Sequence, residues 1–424
     1  MTKRGYTYST TLLLLIGAIL LFELVRDSFY KGDFIGYIHA GNAVLNGENI
    51  YFDFLNTWPP LFSIFSVILA WGDSLNSFFI RFIWLSVSLV LMYYVVSATA
   101  KLFLKTPLIF NPRKKGVLIQ DAIILVPLVI MLRYIMENLS NIQINMYMLA
   151  ASVAAFIFFI RGKFILVGLL LGLTISLKVY TVFILLYFLF KREFKPVLWT
   201  LFFIIILNSI SFLVFGYEQA IAYYYEWITN VAPKSFIAHH KNQSIFGTTL
   251  RFFTTLDPYH KMYVYIMELK PQLVKKYTYL LIIIAAIAPA FLFRKKLKNK
   301  SSLPAFLEYS VVLTAIPLLS PVSWKAYFIF LWVPYFLLFL LLYRTETSLT
   351  NKVLRNLKLL FWFSVVLNVG SSELFVGNYF SDVLEAYSAI TIGTTILLVM
   401  QLYIRTKTNL FNFNSFKIKD YIKS

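Results

Sequence analysis

Long apolar runs recur along almost the whole chain, and polar residues gather between them. A helix that crosses a membrane needs roughly 20 mostly apolar residues, and the runs predict about twelve such spans. These spans are 8–25, 78–104, 117–134, 142–160, 164–177, 180–190, 196–215, 277–293, 303–319, 324–343, 356–370 and 383–404. The pattern therefore predicts an all-α polytopic membrane protein.

Two apolar stretches fit this scheme poorly. WPPLFSIFSVILAWG, residues 58–72, is shorter than a full crossing, and a crossing there would place the basic PRKKG stretch outside. We therefore expect an amphipathic surface helix in the first extracytoplasmic loop. The run over 164–190 has the basic segments RGK and KREFK at its two ends, both typical of the cytoplasmic side. This favours two short helices that meet near Lys178, although one long tilted helix is the alternative.

Composition and charge support this class. The chain is 59% hydrophobic and 14% charged, with a mean hydropathy of +0.74, which excludes an ordinary soluble domain. Its net charge of +20 comes mostly from segments that the spans place in the cytoplasm, so it indicates orientation in the membrane and not nucleic-acid binding. We expect a multi-pass protein of the inner (plasma) membrane with both termini cytoplasmic. Cysteine is absent, which excludes disulfides and thiolate chemistry.

Chemistry-bearing residues concentrate in two predicted extracytoplasmic loops, 26–77 and 216–276. In the first, Asp33 opens a predicted amphipathic helix with an apolar face of Ile35, Ile38 and Val44–Leu45, which ends at Asn46–Gly47. Asp33 is either the cap of that helix or a carboxylate that takes a proton from an acceptor hydroxyl. Asp27 is a second candidate, but it directly follows Arg26 and could simply pair with it.

One lysine lies within an apolar run, at Lys178 in LTISLKVYTVF. On insertion scales an unneutralised lysine in mid-membrane costs roughly 2.5–3.5 kcal/mol, so such residues are functional candidates by default. The alternative is that its ammonium reaches the outer surface along its own aliphatic stem.

The second loop carries Asn242–Gln243–Ser244, with Arg251 seven residues later. These groups could bind sugar hydroxyls, or Ser244 could simply cap a surface helix. His239 and His240 precede Lys241, and the three could bind phosphate or sugar or be solvated loop residues. All four histidines, His39, His239, His240 and His260, lie in the two loops. Two adjacent histidines lack the i, i+4 spacing of a helical metal site, so no metal or other cofactor is predicted, although a divalent cation is possible.

Five short motifs follow one another along the chain. The first is the D-F-x-x-Y…A…G…Y…P-P pattern, formed here by Asp33–Phe34, Tyr37, Ala40, Gly47, Tyr51 and Pro59–Pro60. The others are NIQINMYMLA (141–150), the glycine-rich helix and basic turn of GLLLGLTISLKVYTVFILLYFLFKR, the N-Q-S…R segment 242–251, and LLSPVSWKAYFIFLWVP (318–334). Together, and in this order, they resemble glycosyltransferase family 87, an integral-membrane family of the C superfamily (GT-C). The resemblance covers about residues 8–345.

The resemblance implies an inverting hexosyltransferase with a GT-C-like fold, which uses a polyprenyl-phosphate sugar, mannose being favoured, and an extracytoplasmic glycan or glycolipid acceptor. It implies that Asp33 is the general base and that the donor phosphate meets the basic residues Lys178, Lys241, Arg251 and Lys325. Sugar or acceptor contacts would come from Tyr37, His39, His240, Asn242, Gln243 and Trp324. Residues 1–345 would be the catalytic module, and 346–424 additional helices with a basic cytoplasmic tail.

The chain departs from the family pattern at three places. Lys178 is followed by Val179 where the family has proline, Ser323–Trp324 is followed by Lys325 where histidine is frequent, and Asn141–Ile142 stands where glycine is usual. Two other classes stay open: a transporter or flippase of a lipid-linked saccharide, and an envelope polysaccharide polymerase or ligase.

Overall fold

A computed structural model describes residues 3–52, 55–111, 113–234, 237–256, 264–297 and 299–413. His260 and the C-terminal tail 414–424 lie outside these ranges. The described chain is almost entirely helical, as predicted. Its α-helices, in chain order, are α1 (Lys3–Ser28), α2 (Phe34–Leu45), α3 (Pro60–Leu104), α4 (Ala122–Ser140), α5 (Asn145–Ile160), α6 (Phe164–Leu177), α7 (Val182–Phe190), α8 (Phe194–Phe215), α9 (Tyr217–Glu226), α10 (Ala232–Lys234), α11 (Ile245–Phe253), α12 (Pro271–Phe293), α13 (Leu303–Leu319), α14 (Trp332–Tyr343), α15 (Asn351–Val365), α16 (Glu373–Ala386) and α17 (Ala389–Thr406).

Short pieces of other structure complete the described chain. Strands β1 (Leu108–Ile109) and β2 (Val117–Leu118) pair in parallel, and β3 (Glu346–Thr347) pairs antiparallel with β4 (Phe411–Asn412). Three 3₁₀ turns cover Val179–Thr181, Lys325–Leu331 and Thr408–Leu410, and two π-helical turns cover Trp227–Val231 and Val366–Gly370.

Eight helical segments among the described residues are long and apolar enough to cross a membrane: Thr7–Ser28, Pro60–Leu104, Ala122–Ser140, Phe194–Phe215, Pro271–Phe293, Lys325–Tyr343, Asn351–Gly370 and Ala389–Thr406. Four other predicted spans are helices too short to cross alone: Asn145–Ile160, Phe164–Leu177, Val179–Phe190 and Leu303–Leu319. The chain is thus a multi-pass membrane protein with at least these eight candidate spans, and the count of twelve stays a prediction.

Four predicted span starts need correction: those at 277 and 356 lie at Pro271 and Asn351, and the two others have a local explanation. The span predicted to start at residue 117 starts at Ala122, because Val117–Leu118 pair with Leu108–Ile109 and the Asp121 side chain accepts from the Ile123 N–H at 2.9 Å. The span predicted over 383–404 begins at Ala389. There the chain turns through Ser388, whose φ of 63° separates α17 from α16.

The described residues form two compact units. The first unit comprises Met1–Leu20, Tyr93–Ile135 and Ala238–Ser424, and the second comprises Leu21–Met92 and Met136–Ile237. The predicted domain boundary at residue 345 falls inside the first unit, where α13 packs against α17 through Gln401, which bonds Thr314 at 2.8 Å and Ser310 at 2.6 Å.

In the second unit, α6 and α8 pack at unusually close range. A Cβ at Gly168 would lie 2.4 Å from the Trp199 Cβ, and one at Gly172 would lie 2.7 Å from the Phe203 Cβ. Glycines four residues apart allow this approach because they present no side chain to the facing helix. The glycine-rich run thereby fixes the line of α6, whose last residue precedes Lys178.

Helix α2 keeps its predicted bounds, but its buried face differs from the prediction. Ile38 is buried as expected, whereas Leu45 is exposed and Phe34 and Tyr37 are fully buried. The Tyr37 ring packs 4.8 Å from Trp58 and 5.0 Å from Phe62. Large rings release more apolar surface from water than aliphatic side chains do, so the aromatic pair determines which face packs inward.

Most of the stretch 58–72 is helical and forms the start of α3, which departs from helical geometry at Asn76 (φ −162°, ψ 104°). Its position on the membrane surface stays a prediction. Gly41 of α2 lies against this start, since a Cβ there would be 2.3 Å from the Ser66 carbonyl oxygen. The aromatic residues around Tyr37 therefore hold together two predicted amphipathic segments.

Candidate active site

Asp33 follows a turn whose backbone is fixed by the loop between α4 and α5. Gly32 adopts a φ of +47°, and a Cβ there would lie 2.9 Å from backbone atoms of Asn141. Glycine alone tolerates both the positive φ and this approach. The Asp33 N–H also donates to the Asn141 carbonyl at 3.1 Å. The start of α2 is thus held against the segment that carries Gln143.

The Asp33 carboxylate does not cap its own helix. No described amide of α2 donates to the Asp33 side chain. Instead the Gln143 side-chain amide donates a hydrogen bond to Asp33 Oδ2. The interpretation of Asp33 as only a helix cap is therefore wrong.

The Asp33 side chain is accessible from the surface but crowded by protein. Desolvation by the surrounding protein raises the pKa of the Asp33 carboxyl. The positive charge of Lys178 and the hydrogen bond from Gln143 offset part of that rise. A carboxylate with a raised pKa holds a transferred proton better than an ordinary one, and its accessibility lets a substrate hydroxyl reach it.

Lys178 occupies a break between two helices, as predicted. Its backbone is extended (φ −148°, ψ 106°) between α6 and the 3₁₀ turn Val179–Thr181. The residue is only 7% exposed, so its ammonium points into the protein. It donates to Asn145 Oδ1 at 3.3 Å and lies 5.7 Å from the centre of the Tyr180 ring.

Two buried amides connect Lys178 with Asp33. Lys178 donates to Asn145 Oδ1, the Asn145 amide donates to Gln143 Oε1 at 3.4 Å, and the Gln143 amide donates to Asp33. Tyr180 reinforces the chain by donating its hydroxyl to Asn145 Oδ1 at 2.7 Å. Because the Lys178 ammonium lies at one end and the Asp33 carboxylate at the other, both side-chain amides donate their hydrogen bonds toward Asp33. The second unit thus holds a carboxylate and a buried ammonium in one oriented network.

Tyr37 and His39, the predicted sugar contacts near Asp33, lie in different environments. Tyr37 is fully buried in the aromatic cluster, where it supports α2 and does not line an open surface. His39 is exposed on the same helix and is accessible to a ligand.

The Asn242–Gln243–Ser244 segment lies in the first unit and is interlaced with the Ser-Pro-Val-Ser-Trp segment. Asn242 Oδ1 accepts from the Ser323 N–H at 2.9 Å, and the Gln243 N–H donates to the Ser323 carbonyl at 2.8 Å. Ser244 caps α11 by accepting from the Gly247 N–H at 2.9 Å. The capping alternative is confirmed for Ser244, and Asn242 is buried within this scaffold.

Arg251 uses its guanidinium to close the same scaffold. The group donates to the carbonyls of His239 at 2.8 Å, Asn242 at 2.6 Å and Ala386 at 3.2 Å, and to the hydroxyls of Ser388 at 2.6 Å and Thr248 at 3.5 Å. A guanidinium has five N–H donors, and all five are directed at protein acceptors here. This geometry favours a structural role for Arg251 over the predicted phosphate contact.

We expect Arg251→Met to destabilise the protein. Three carbonyls would lose charge-assisted hydrogen bonds, which should cost at least about 2 kcal/mol of unfolding free energy. Thermal unfolding in detergent measures this, with Lys241→Met, an exposed neighbour, as the control with little change. An Arg251→Met protein of wild-type stability that binds donor weakly would instead support the phosphate role.

The remaining predicted site residues of the first unit lie around the same segment. Trp324 is half-buried, and its ring lies edge-on to His239 at 5.6 Å. Lys241 is exposed. Lys325 is buried, and its ammonium donates to Glu373 at 2.6 Å and lies 3.2 Å from Glu385.

The sequence profile of glycosyltransferase family 87 matches residues 56–321, more than half of the chain. The chain belongs to glycosyltransferase family 87. Neither the curated proteins nor the solved structures contain a significant match. The matched range includes Gln143, Lys178 and Arg251, begins after Asp33 and ends before Lys325.

One departure from the family 87 pattern has a structural explanation. Ile142, where that pattern has glycine, adopts a φ of 49°. This left-handed conformation is natural for glycine and strained for a β-branched residue. Its side chain is fully buried, which offsets the strain. The turn keeps the shape that glycine would provide, with Asn141 and Gln143 on either side of Asp33.

Three acidic residues near Lys325 were not among the sequence candidates of this family 87 member. Glu373, Asp382 and Glu385 belong to α16, which the motifs do not cover. Asp382 and Glu385 are three residues apart and therefore share one helical face. That spacing is visible in the sequence, but its approach to His240 depends on the tertiary fold.

Proposed function

We propose that this family 87 glycosyltransferase moves a hexose, mannose being favoured, from a polyprenyl-phosphate donor to an extracytoplasmic glycan or glycolipid. Asp33 would act as general base, and the configuration at the anomeric carbon would invert. The observation that carries the proposal is the oriented network from Lys178 to Asp33, which supplies a base and a fixed cation in one site.

The chemistry requires two opposite charges. The acceptor hydroxyl loses its proton to Asp33 as its oxygen bonds to the anomeric carbon, and the bond from that carbon to the phosphate oxygen breaks. The leaving lipid phosphate gains negative charge, which a fixed ammonium stabilises. Lys178 provides this charge, while the buried amides hold it at a constant place relative to the base.

The remaining assignments follow from the contacts of each residue. His39, whose side chain is exposed on the helix that follows Asp33, is a sugar or acceptor contact in the proposal. Lys241 and Trp324 belong to the first unit and stay predictions of the family resemblance. Arg251, Asn242 and Gln243 act on the scaffold. The site would face the extracytoplasmic side, with both termini in the cytoplasm.

A donor screen tests the proposal. The protein is reconstituted in proteoliposomes with radiolabelled polyprenyl-phosphate sugars and a mixed membrane-glycolipid acceptor. We expect transfer with one hexose donor, mannose first. Movement of label across the bilayer without transfer would favour the flippase alternative and contradict the proposal.

Gln143→Leu should move the pH profile of this reaction. The Gln143 hydrogen bond stabilises the charged form of Asp33 and so lowers its pKa. Without it the pKa rises further, and since the base acts when deprotonated, the acid limb of kcat/KM should shift to higher pH.

Gln143→Glu is the matched comparison for the Leu variant. A second carboxylate beside Asp33 should raise the apparent pKa of the pair more than the apolar side chain does. The acid limb should therefore move in the order wild type, Leu, Glu. Equal loss of rate at all pH values in both variants would show that Gln143 only supports the fold.

A further inference from the structure

A cluster of two carboxylates and one imidazole lies in the first unit and shares no residue with the network that the proposed reaction uses. His240 Nε2 lies 3.2 Å from Asp382 Oδ1. One ligand atom each from His240, Asp382 and Glu385 lies within 4.8 Å of the others. We propose that these three residues bind a divalent transition-metal ion of the Zn²⁺ or Mn²⁺ class. This proposal does not depend on the donor or acceptor of the reaction.

The spacing of the ligand atoms suits such an ion. Two ligands at about 2.0–2.1 Å from a tetrahedral Zn²⁺ are separated by about 3.3 Å, close to the separation of His240 and Asp382. One imidazole and two carboxylates form a mixed nitrogen and oxygen set, which favours Zn²⁺ or Mn²⁺ over Ca²⁺ or Mg²⁺. Ion binding would draw the Glu385 ligand atom, which lies within 4.8 Å of the other two, toward this separation.

The burial of Glu385 is a second reason to expect an ion here, separate from the spacing of the ligand atoms. The residue is completely buried, and its Oε2 accepts no hydrogen bond from any described residue. A buried carboxylate oxygen without a donor is costly. A metal ion would satisfy this atom together with the two other ligands, whereas a proton would satisfy only one.

The two cationic side chains that contact Glu385 do not bind the oxygen that is left without a donor. Arg133 and Lys325 approach Glu385 through Oε1, at 3.0 Å and 3.2 Å. In the proposed site Oε2 is the ligand, and bonds of this kind to the other oxygen orient a ligating carboxylate. With Glu373 and Asp382 included, three carboxylates face two cations, so one negative charge is in excess and a divalent cation is electrostatically acceptable.

The backbones that carry two of the three ligands are joined before any ion arrives. The Gln243 amide donates to the His240 carbonyl at 2.6 Å and to the Glu385 carbonyl at 2.7 Å. It therefore joins the histidine-bearing loop to the end of α16. Asp382 has a side chain that is 35% exposed, which provides the path for an ion to enter.

Direct binding tests the site in the full-length protein. The protein carries a purification tag without histidine, is stripped with chelator and held in lipid nanodiscs, and is dialysed against Co²⁺, Zn²⁺ or Mn²⁺ at micromolar concentration. We expect one ion per chain and, for Co²⁺, visible absorption bands of a nitrogen- and oxygen-ligated site. Asp382→Asn and Glu385→Gln should each weaken affinity at least about tenfold.

Glu373→Gln is the control, because it removes the same charge from the same cluster without removing a ligand. It should keep affinity within about threefold. Saturating Zn²⁺ should also raise the thermal midpoint of the wild type but not that of Asp382→Asn, which has a partly exposed side chain and is expected to fold. Absence of bound metal in the wild type, or equal weakening in Glu373→Gln, would overturn the proposal.

Discussion

Asp33→Asn is expected to reduce sugar transfer by about 10²–10⁴-fold in kcat, the usual contribution of a positioned general base. Asparagine keeps the size of the side chain and an oxygen that can accept from Gln143, so the start of α2 should keep its place. What the variant loses is the ability to take the proton of the acceptor hydroxyl. Donor affinity should therefore change much less than kcat.

The control for this variant is Asp27→Asn. Asp27 is buried and accepts from Arg26 Nε at 2.9 Å, so its loss should affect stability more than catalysis. Single-turnover transfer in proteoliposomes separates the chemical step from donor binding. Transfer by Asp33→Asn at the wild-type rate would remove Asp33 from the mechanism.

Local patterns in the sequence predicted much of the second unit. The limits of α2 follow from Asp33 before the apolar run and Asn46–Gly47 after it, and the helix break at Lys178 follows from the two flanking basic segments. Both signals come from nearby residues and from the preference of basic segments for the cytoplasmic side of the membrane. Neither signal requires contacts between distant segments of the chain.

Other features of the site could not be predicted because they depend on contacts between distant segments. The prediction of which face of α2 is buried was wrong, because the aromatic partners Trp58 and Phe62 determine that face. Gln143 belonged to one of the five motifs but had no predicted role, yet it bonds Asp33 across 110 residues. Arg251 has the charge expected at a phosphate, but three backbone carbonyls surround it.

Lys178→Ala is expected to weaken binding of the polyprenyl-phosphate donor by about ten- to a hundredfold, the range of a charge-assisted hydrogen bond. Lys163→Ala is the matched control, since Lys163 precedes the other end of α6 and is exposed; its donor affinity should not change. The loss should be smaller for a donor analogue that lacks the phosphate charge, because Lys178 acts as a point charge and not through the sugar.

Both variants need a wild-type elution profile and thermal midpoint, because Lys178 is buried and its removal also frees Asn145 Oδ1 from one donor. If Lys178→Ala binds the charged donor as tightly as the wild type, the lysine serves only the packing between α6 and α7, and another cation must hold the phosphate.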